Sequence, residues 1–440
     1  MGWSGEESIS RRAFMALSGI GLAATACARY HYRPVPEGEA VNIGFIGTGQ
    51  RGRYILSELM RFREARIVAL CDVRQDQLDE AVSLAEQRYG RGAIVRYGHH
   101  EDLLAREDLH GVVIASCDHW HVLHATAAAE RGLGVYLEKP MGARLNEAKA
   151  LRSVLHRTGV PFQLGVQQRS DERFHRAVML ARNGCLGEIR EVLSWCPPSV
   201  GGAPDEQVPP PPGLDYDRWL GPAPAVPYTR ERETNKWWWH ISDYAAGFIL
   251  GWGIHPIDIA HWGLGDAARV SVKINGTAVY ATGVCDCAIR WDIAAELEKG
   301  PVIRFRSTEE AAPWSQQYGL KPEHGTVFIG DKGWVAVCRS GITAEPVSLL
   351  DLPLDSLPVQ IPLRRNHLKN YLESLRGREE PIAPVDDTIA GEFFCHACDI
   401  AMREGGGLVW DARTEQFRGA PQANARCSRQ NREPWLLPSV

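Results

Sequence analysis

Lys139 and His255 are the residues whose types and surroundings could do chemistry. Glu138-Lys139-Pro140 closes a short apolar run, and His255 precedes Pro256 at the entry to a helical stretch. An ammonium at a strand end can polarise or protonate a substrate oxygen, and burial tunes its pKa readily. Proline cannot donate to a ladder, so the strand stops at the lysine. Histidine is matched to proton transfer near neutral pH, and proline is a good first helical residue. The pair reads as a base and a polarising cation acting on a hydroxyl. Asp258 follows His255 by three residues, on a neighbouring helical face, where it serves as a partner or as a helix-start carboxylate. Asp243 is the other candidate partner.

A nucleotide site lies upstream. The apolar run 41–46 leads into Gly47-Thr48-Gly49-Gln50-Arg51-Gly52, and helical spacing follows. Strand, glycine turn and helix occur in the order of the dinucleotide fingerprint. Gly47 permits the turn, Gly49 lets backbone approach a pyrophosphate, and Gly52 lets helix and strand pack closely. The helix N-terminus suits the anion. A second run, 67–71, ends at Asp72, placed about 20 residues past the last glycine, where an acid holds the adenine ribose. Asp72 favours NAD because a carboxylate repels a 2′-phosphate. Arg74 could accommodate that phosphate, which leaves NADP open.

The elements that position these residues alternate. Strands at 111–115 and 134–137 follow helices at 77–89 and 122–131, the pattern of a parallel sheet covered on both faces. Ligands gather at the carboxyl ends of such strands. Those ends carry Ser116, Asp118, Trp120 and His121 after one strand, and Glu138 and Lys139 after the next. From about residue 160 the pattern changes. Strands at 189–196, 269–281, 288–297, 301–306, 326–329 and 333–338 predict an open, largely antiparallel sheet in an α+β domain. The proline-rich stretch 197–213 reads as an extended excursion, and 367–375 and 388–402 as late helices. The expected fold is α/β: a Rossmann doubly wound parallel sheet over 38–160, then an α+β domain over 161–436 for substrate binding and oligomerisation.

Glu138-Lys139-Pro140 and Asp118-His119-Trp120-His121 resemble motifs of the Gfo/Idh/MocA oxidoreductases. The likeness continues through Gln163–Arg169, Trp219–Pro224, Gly251–Asp258, Val409–Asp411 and Arg432–Trp435. It implies a two-domain NAD(P)-dependent enzyme acting on sugars or cyclitols, with Lys139 and His255 catalytic. It also implies a homo-oligomer built through the second sheet. Gln167 would shape the cofactor side, and Arg169 would contact a substrate oxygen. Relatives commonly carry an aspartate four residues before this histidine; here the position is Gly251, so the usual dyad is missing.

Lys236-Trp237-Trp238-Trp239-His240 could supply indoles for stacking on sugar rings, since aromatic side chains add area at little entropic cost. Core packing or an oligomer contact would suit tryptophan equally. Three in a row cannot face one way, so one or two, with Trp238 and Trp239 as candidates, are expected at the substrate together with Trp120. Cys395 and Cys398 have redox or zinc spacing, but no second pair accompanies them and they fall within an expected helix; no metal is expected.

Composition narrows the classes further. The 440 residues are 44% hydrophobic and 23% charged, with a net charge of −5 and 14 tryptophans. That is globular composition, without a nucleic-acid footprint or multi-span membrane character. Arg11-Arg12 before the apolar stretch 13–26 reads as a twin-arginine export signal over 1–26. The stretch is too short to span a bilayer. Cleavage after Ala26, or lipid attachment at Cys27, would give a periplasmic or lipid-anchored protein. Twin-arginine systems export folded proteins, often with cofactor inside, which suggests tightly held NAD recycled in a redox-neutral cycle on a sugar or glycoside. The alternatives are a plain sugar or cyclitol dehydrogenase with an external acceptor, or a non-catalytic sugar- or nucleotide-binding protein of the same fold.

Overall fold

The computed structural model describes residues 32–437. The export reading over 1–26 and Cys27 lies outside the described residues. Among them, no helix is long and apolar enough to cross a membrane.

Six parallel strands form the first sheet: β1 (Val41–Ile46), β2 (Ala65–Cys71), β3 (Val95–Tyr97), β4 (Gly111–Ile114), β5 (Gly134–Leu137) and β6 (Phe162–Leu164). Their order is β3-β2-β1-β4-β5-β6. The central strands are almost wholly buried, as expected of a parallel sheet with both faces covered. The order reverses between β1 and β4, and that switch point opens a crevice at the strands' carboxyl ends. The glycine turn, Asp72, Ser116 and Lys139 all leave strands on this side. The sheet runs to Leu164, a few residues past the boundary read at 160.

A nine-stranded sheet forms the second half, built from β7 (Ile189–Cys196), β8 (Val272–Tyr280), β9 (Ala288–Leu297), β10 (Val302–Ser307), β11 (Gly325–Gly330), β12 (Trp334–Cys338), β13 (Gly341–Glu345), β14 (Leu408–Asp411) and β15 (Gln416–Phe417). Its order is β13-β12-β11-β7-β10-β9-β8-β14-β15. All neighbours are antiparallel except β7 and β10, whose long intervening segment allows a crossover.

Two long-range returns tie the halves together. The helix His367–Leu375 packs back on the first sheet, where Tyr371 Oη donates to the carbonyls of Val112 and Gly134, both at 3.1 Å. The proline-rich excursion ends against the turn after β2, through Gln75 N to Gly213 O at 2.9 Å and Asp215 N to Val73 O at 3.0 Å. That second contact sets Trp219, Glu233 and Trp238 over the crevice.

Candidate functional site

The glycine turn is shaped by contact. Gly47 has a φ of +89°, and a Cβ there would lie 2.5 Å from the backbone of Ala115 and Ser116. A Cβ on Gly52 would lie 2.2 Å from the Gly47 carbonyl oxygen. A Cβ on Gly49 would meet nothing within 4 Å, so that side of the turn stays open to a ligand. The helix Gln50–Leu59 starts there without a side-chain cap or an acid in its first turn. Its free N–H groups suit a pyrophosphate.

A cavity of about 350 Å³ extends from the turn, lined by Gly47, Asp72, Arg74, Trp120, Glu233 and Trp238 among others. Gln50 and Ser116 also line it, and Ser116 Oγ lies 3.1 Å from His124 Nδ1. Asp72 accepts from Thr48 N at 2.7 Å, Thr48 Oγ1 at 3.1 Å and Arg74 N at 2.9 Å. Arg74 is engaged on both edges: Nε and Nη2 reach Asp76 at 2.9 and 2.5 Å, and Nη1 reaches Glu233 at 2.8 Å. Glu233 is buried and also accepts from Tyr228 Oη at 2.6 Å. The ribose end is therefore acidic, and Arg74 is held by carboxylates rather than presented to a 2′-phosphate. These residues fit NAD.

Beyond the cavity lies the Lys139 cluster. Glu138 Oε1 accepts from Arg51 Nε and Nη2 at 3.0 and 2.8 Å and from Gln167 Nε2 at 2.9 Å, linking the glycine turn to β5. His121 directs its ring nitrogens at the carbonyls of Ser116 (3.0 Å) and Pro140 (2.6 Å), tying the ends of β4 and β5 together. Lys139 Nζ donates to the Gly251 carbonyl at 2.7 Å and lies 5.0 Å from the Trp239 ring centroid. Burial lowers the Lys139 pKa, as do Arg51 and Arg339, against the pull of Glu138 and Asp118. Burial pushes the Asp118 carboxyl well above the carboxylate range, opposed by Lys139.

His255 is buried, and its Nδ1 has no hydrogen-bond partner among the described residues. Burial, then the charges of Lys139 and Arg339, hold its pKa well below the usual value. The ring is thus neutral and able to accept a proton at neutral pH. Neither candidate acid pairs with it. Asp258 accepts from Arg169 Nε at 2.8 Å and Nη2 at 2.7 Å. Asp243 sits instead among Asp286, Arg144, Arg232 and Arg429.

Several positions differ from the sequence reading. Arg169, expected to touch substrate, and Asp258, read as a partner for His255 or a helix-start carboxylate, form a fully buried ion pair. The remaining Arg169 bonds go to the carbonyls of Ile382 and Asp387, at 3.2 and 3.1 Å. No group of either is left for a ligand. Trp120 walls the nucleotide cavity, stacked on His124 at 4.7 Å, with Nε1 donating to the carbonyls of Arg218 and Trp219. Trp238 lines that same cavity, whereas half-buried Trp239 is the indole at Lys139.

Sequence reasoning missed four residues. Trp252 lies edge-on to His255, with ring centroids 5.7 Å apart, and 5.9 Å from His324. Arg339 lies over the Trp252 ring at 5.0 Å. Gln168, with its amide turned to satisfy both ends, accepts from His324 Nε2 at 3.1 Å and Arg339 Nε at 3.3 Å, and donates to the His255 carbonyl at 3.3 Å. Gln168 and Trp252 fall within the motifs Gln163–Arg169 and Gly251–Asp258 without being singled out there, whereas His324 and Arg339 lie at strand ends of the second sheet that no local motif marks.

Comparisons with known proteins agree with this architecture. Residues 41–166 match a family model described as an oxidoreductase family, NAD-binding Rossmann fold. Residues 192–299 match the same family's C-terminal alpha/beta domain. A glycosyl hydrolase family 109 protein of Stenotrophomonas maltophilia is 31% identical over 191 residues, covering 41% of each chain. The match thus spans about two fifths of that relative's length. Among solved structures, the WlbA dehydrogenase of Bordetella pertussis, in complex with NADH and UDP-GlcNAcA, superposes with a TM-score of 0.60. It is 17% identical, covering 83% of this chain and 98% of that one. Scyllo-inositol dehydrogenase of Lactobacillus casei, with bound NAD(H) and scyllo-inositol, gives 0.53 at 17% identity, covering 85% and 100%. At such identities the likeness is one of fold.

Proposed function

Because the chain belongs to the Gfo/Idh/MocA oxidoreductases and carries both their domains, we propose that it oxidises a hydroxyl of a sugar or glycoside, with His255 as base and Lys139 polarising the reacting oxygen. The observation that carries this reading is buried His255, whose Nδ1 has no partner among the described residues and whose pKa burial and the Lys139 charge hold low, together with half-buried Lys139 at the carboxyl end of β5. NAD is the cofactor; Gly47, Gly49, Gly52 and Asp72 would hold it, and when bound it supplies the hydride acceptor.

His255 takes the hydroxyl proton. The Lys139 ammonium, anchored on the Gly251 carbonyl, stabilises the developing oxyanion in a site where burial strengthens the interaction. Trp239 borders Lys139 and Trp252 borders His255, so these indoles flank the reacting groups where an apolar sugar face would pack.

The export reading extends the proposal to a redox-neutral cycle. An exported protein keeps one NAD, so the oxidised sugar is re-reduced in place. Oxidation at C3 acidifies the C2–H, so that loss of this proton expels the C1 substituent as an alcohol; water then adds across the C1–C2 double bond and the C3 ketone is re-reduced. The glycosyl hydrolase name borne by the curated relative accords with this.

Single-turnover NADH formation on the full chain, purified with its nucleotide and mixed with glycosides, tests the assignment. Lys139→Ala and His255→Ala are each expected to slow it by about 10²–10⁴-fold, the range of general acid–base contributions. Unchanged rates in both variants, with nucleotide retained, overturn the roles.

A further inference from the structure

The cations around the cleft divide into two kinds. Arg51 is paired with Glu138, Arg74 with Asp76 and Glu233, and Arg169 with Asp258. Arg339 forms no ion pair among the described residues, although its charge acts on both Lys139 and His255. It comes from the turn between β12 and β13. Its guanidinium lies over the Trp252 ring at 5.0 Å, and Nε is held by the Gln168 amide oxygen at 3.3 Å. The same Gln168 grips the His255 carbonyl, and the same Trp252 borders the His255 ring. Arg339 and His255 therefore flank one indole and share one amide.

Arg339 is exposed at the surface, and among the described residues only its Nε is engaged, which leaves both Nη groups free to meet a ligand. Nearby charge gives it no internal counterion. Glu138 is the acid that acts on it, and Glu138 already takes a two-pronged bond from Arg51. Arg51 and burial work against the Arg339 cation, as they do against Lys139. Asp118 acts on Lys139 and is itself pushed toward its neutral form. A neutral sugar would leave this concentration of positive charge uncompensated. A planar guanidinium with both Nη groups free offers a fork of donors, which matches the two oxygens of a carboxylate better than a point donor would.

We propose that the sugar is anionic, a hexuronate-type substrate whose carboxylate is received by Arg339 across Trp252 from the hydroxyl facing His255 and Lys139, making Arg339 a specificity-determining residue. The inference rests on the sugar-oxidising reading of the same cleft and adds the substrate's charge.

The test is calorimetric titration of the full chain, carrying its nucleotide, with the methyl glycosides of glucuronate, galacturonate and mannuronate. Their parent hexosides and galactose 6-sulfate serve as comparison probes. At least one uronide should bind about 30-fold more tightly than its parent, the yield of a charge-assisted pair. Arg339→Met should erase that margin, and Arg339→Lys should restore part of it. Thermal melting checks that both variants fold. No uronide preferred over its parent, or a preference surviving in Arg339→Met, overturns the proposal. A sulfate ester preferred over every uronide overturns the carboxylate assignment. NADH formation is read separately. Uronide binding without it refutes the oxidation reading and leaves the anion site standing. Equal turnover of hexoside and uronide refutes the anion site and leaves oxidation standing.

Discussion

The ammonium of Lys139 rests on the main-chain carbonyl of Gly251, with Nζ donating at 2.7 Å. The position where relatives commonly carry an aspartate thus serves here through its backbone. A Cβ on Gly251 would meet Phe248 Cδ1 at 4.0 Å and nothing closer, so a side chain fits. Gly251→Asp should therefore fold and set a carboxylate near Lys139 and His255. A nearby opposite charge favours the imidazolium, so the acid limb of kcat/KM should move up by about 1–2 pH units. An unmoved limb in a folded variant would mean that this position does not face His255.

The wild-type pH profile follows from the same pair. His255 titrates well below the usual histidine range, so its proton-accepting form persists on acidification and is lost only as pH falls through the lowered pKa. Lys139 lies below 10.5, so its ammonium is lost as pH rises through a value under that of free lysine. Activity should hold into mild acid and decline early on the alkaline side. Lys139→Arg should push the alkaline decline to higher pH, because guanidinium stays protonated. A decline at the same pH in both proteins would assign that limb to another group.

Cofactor choice depends on acidity at the ribose end. Asp72 faces the glycine turn, and Glu233 holds Arg74 at 2.8 Å. Replacing both, as Asp72→Ser with Glu233→Gln, removes two carboxylates and frees one edge of Arg74. The ratio of NADP to NAD affinity should rise about 10–100-fold, the scale of one or two charged hydrogen bonds. Fluorescence titration with each reduced nucleotide reads it. A ratio that does not change would show that discrimination lies elsewhere.

Arg169 and Asp258 join the turn Gln167–Ser170 to the helix Ile254–Leu264 rather than a ligand. Asp258→Asn should leave an uncompensated buried guanidinium and cost about 3–5 kcal/mol in urea unfolding. A substrate contact would instead raise KM at little cost in stability. That second pattern would restore the role read from the sequence.

How much of this was legible in the chain differs by region. β1, β2, β4, β5 and the glycine turn stand out because buried parallel strands are short apolar runs and because Gly47 and Gly52 are required by close backbone contact. The strands β7, β9 and β10 are equally plain. The edge strands β3, β13, β14 and β15 are short and carry little apolar pattern, so they emerge only through pairing. Lys139 and His255 follow from strand-end position and resemblance. Arg169 misleads, since a lone arginine in sequence does not disclose that its carboxylate partner lies 89 positions on. Trp252 and Gln168 lie in motifs already visible, but their convergence with His324 and Arg339 emerges only in the tertiary structure. The tryptophan run illustrates both sides. Adjacent residues do point apart, but which indole reaches Lys139 depends on the short 3₁₀ turn Trp238–His240.

The central claim is that His255 and Lys139 act on a sugar hydroxyl while NAD takes the hydride. Its most direct test uses the full chain purified gently, with no added nucleotide, mixed with glycosides deuterated at the ring carbons. Mass spectrometry of the extracted nucleotide reads the outcome. Deuterium should appear in the bound NAD of the wild-type protein and be absent in His255→Ala. A protein that carries no nucleotide, or label transfer equal in both proteins, contradicts the account.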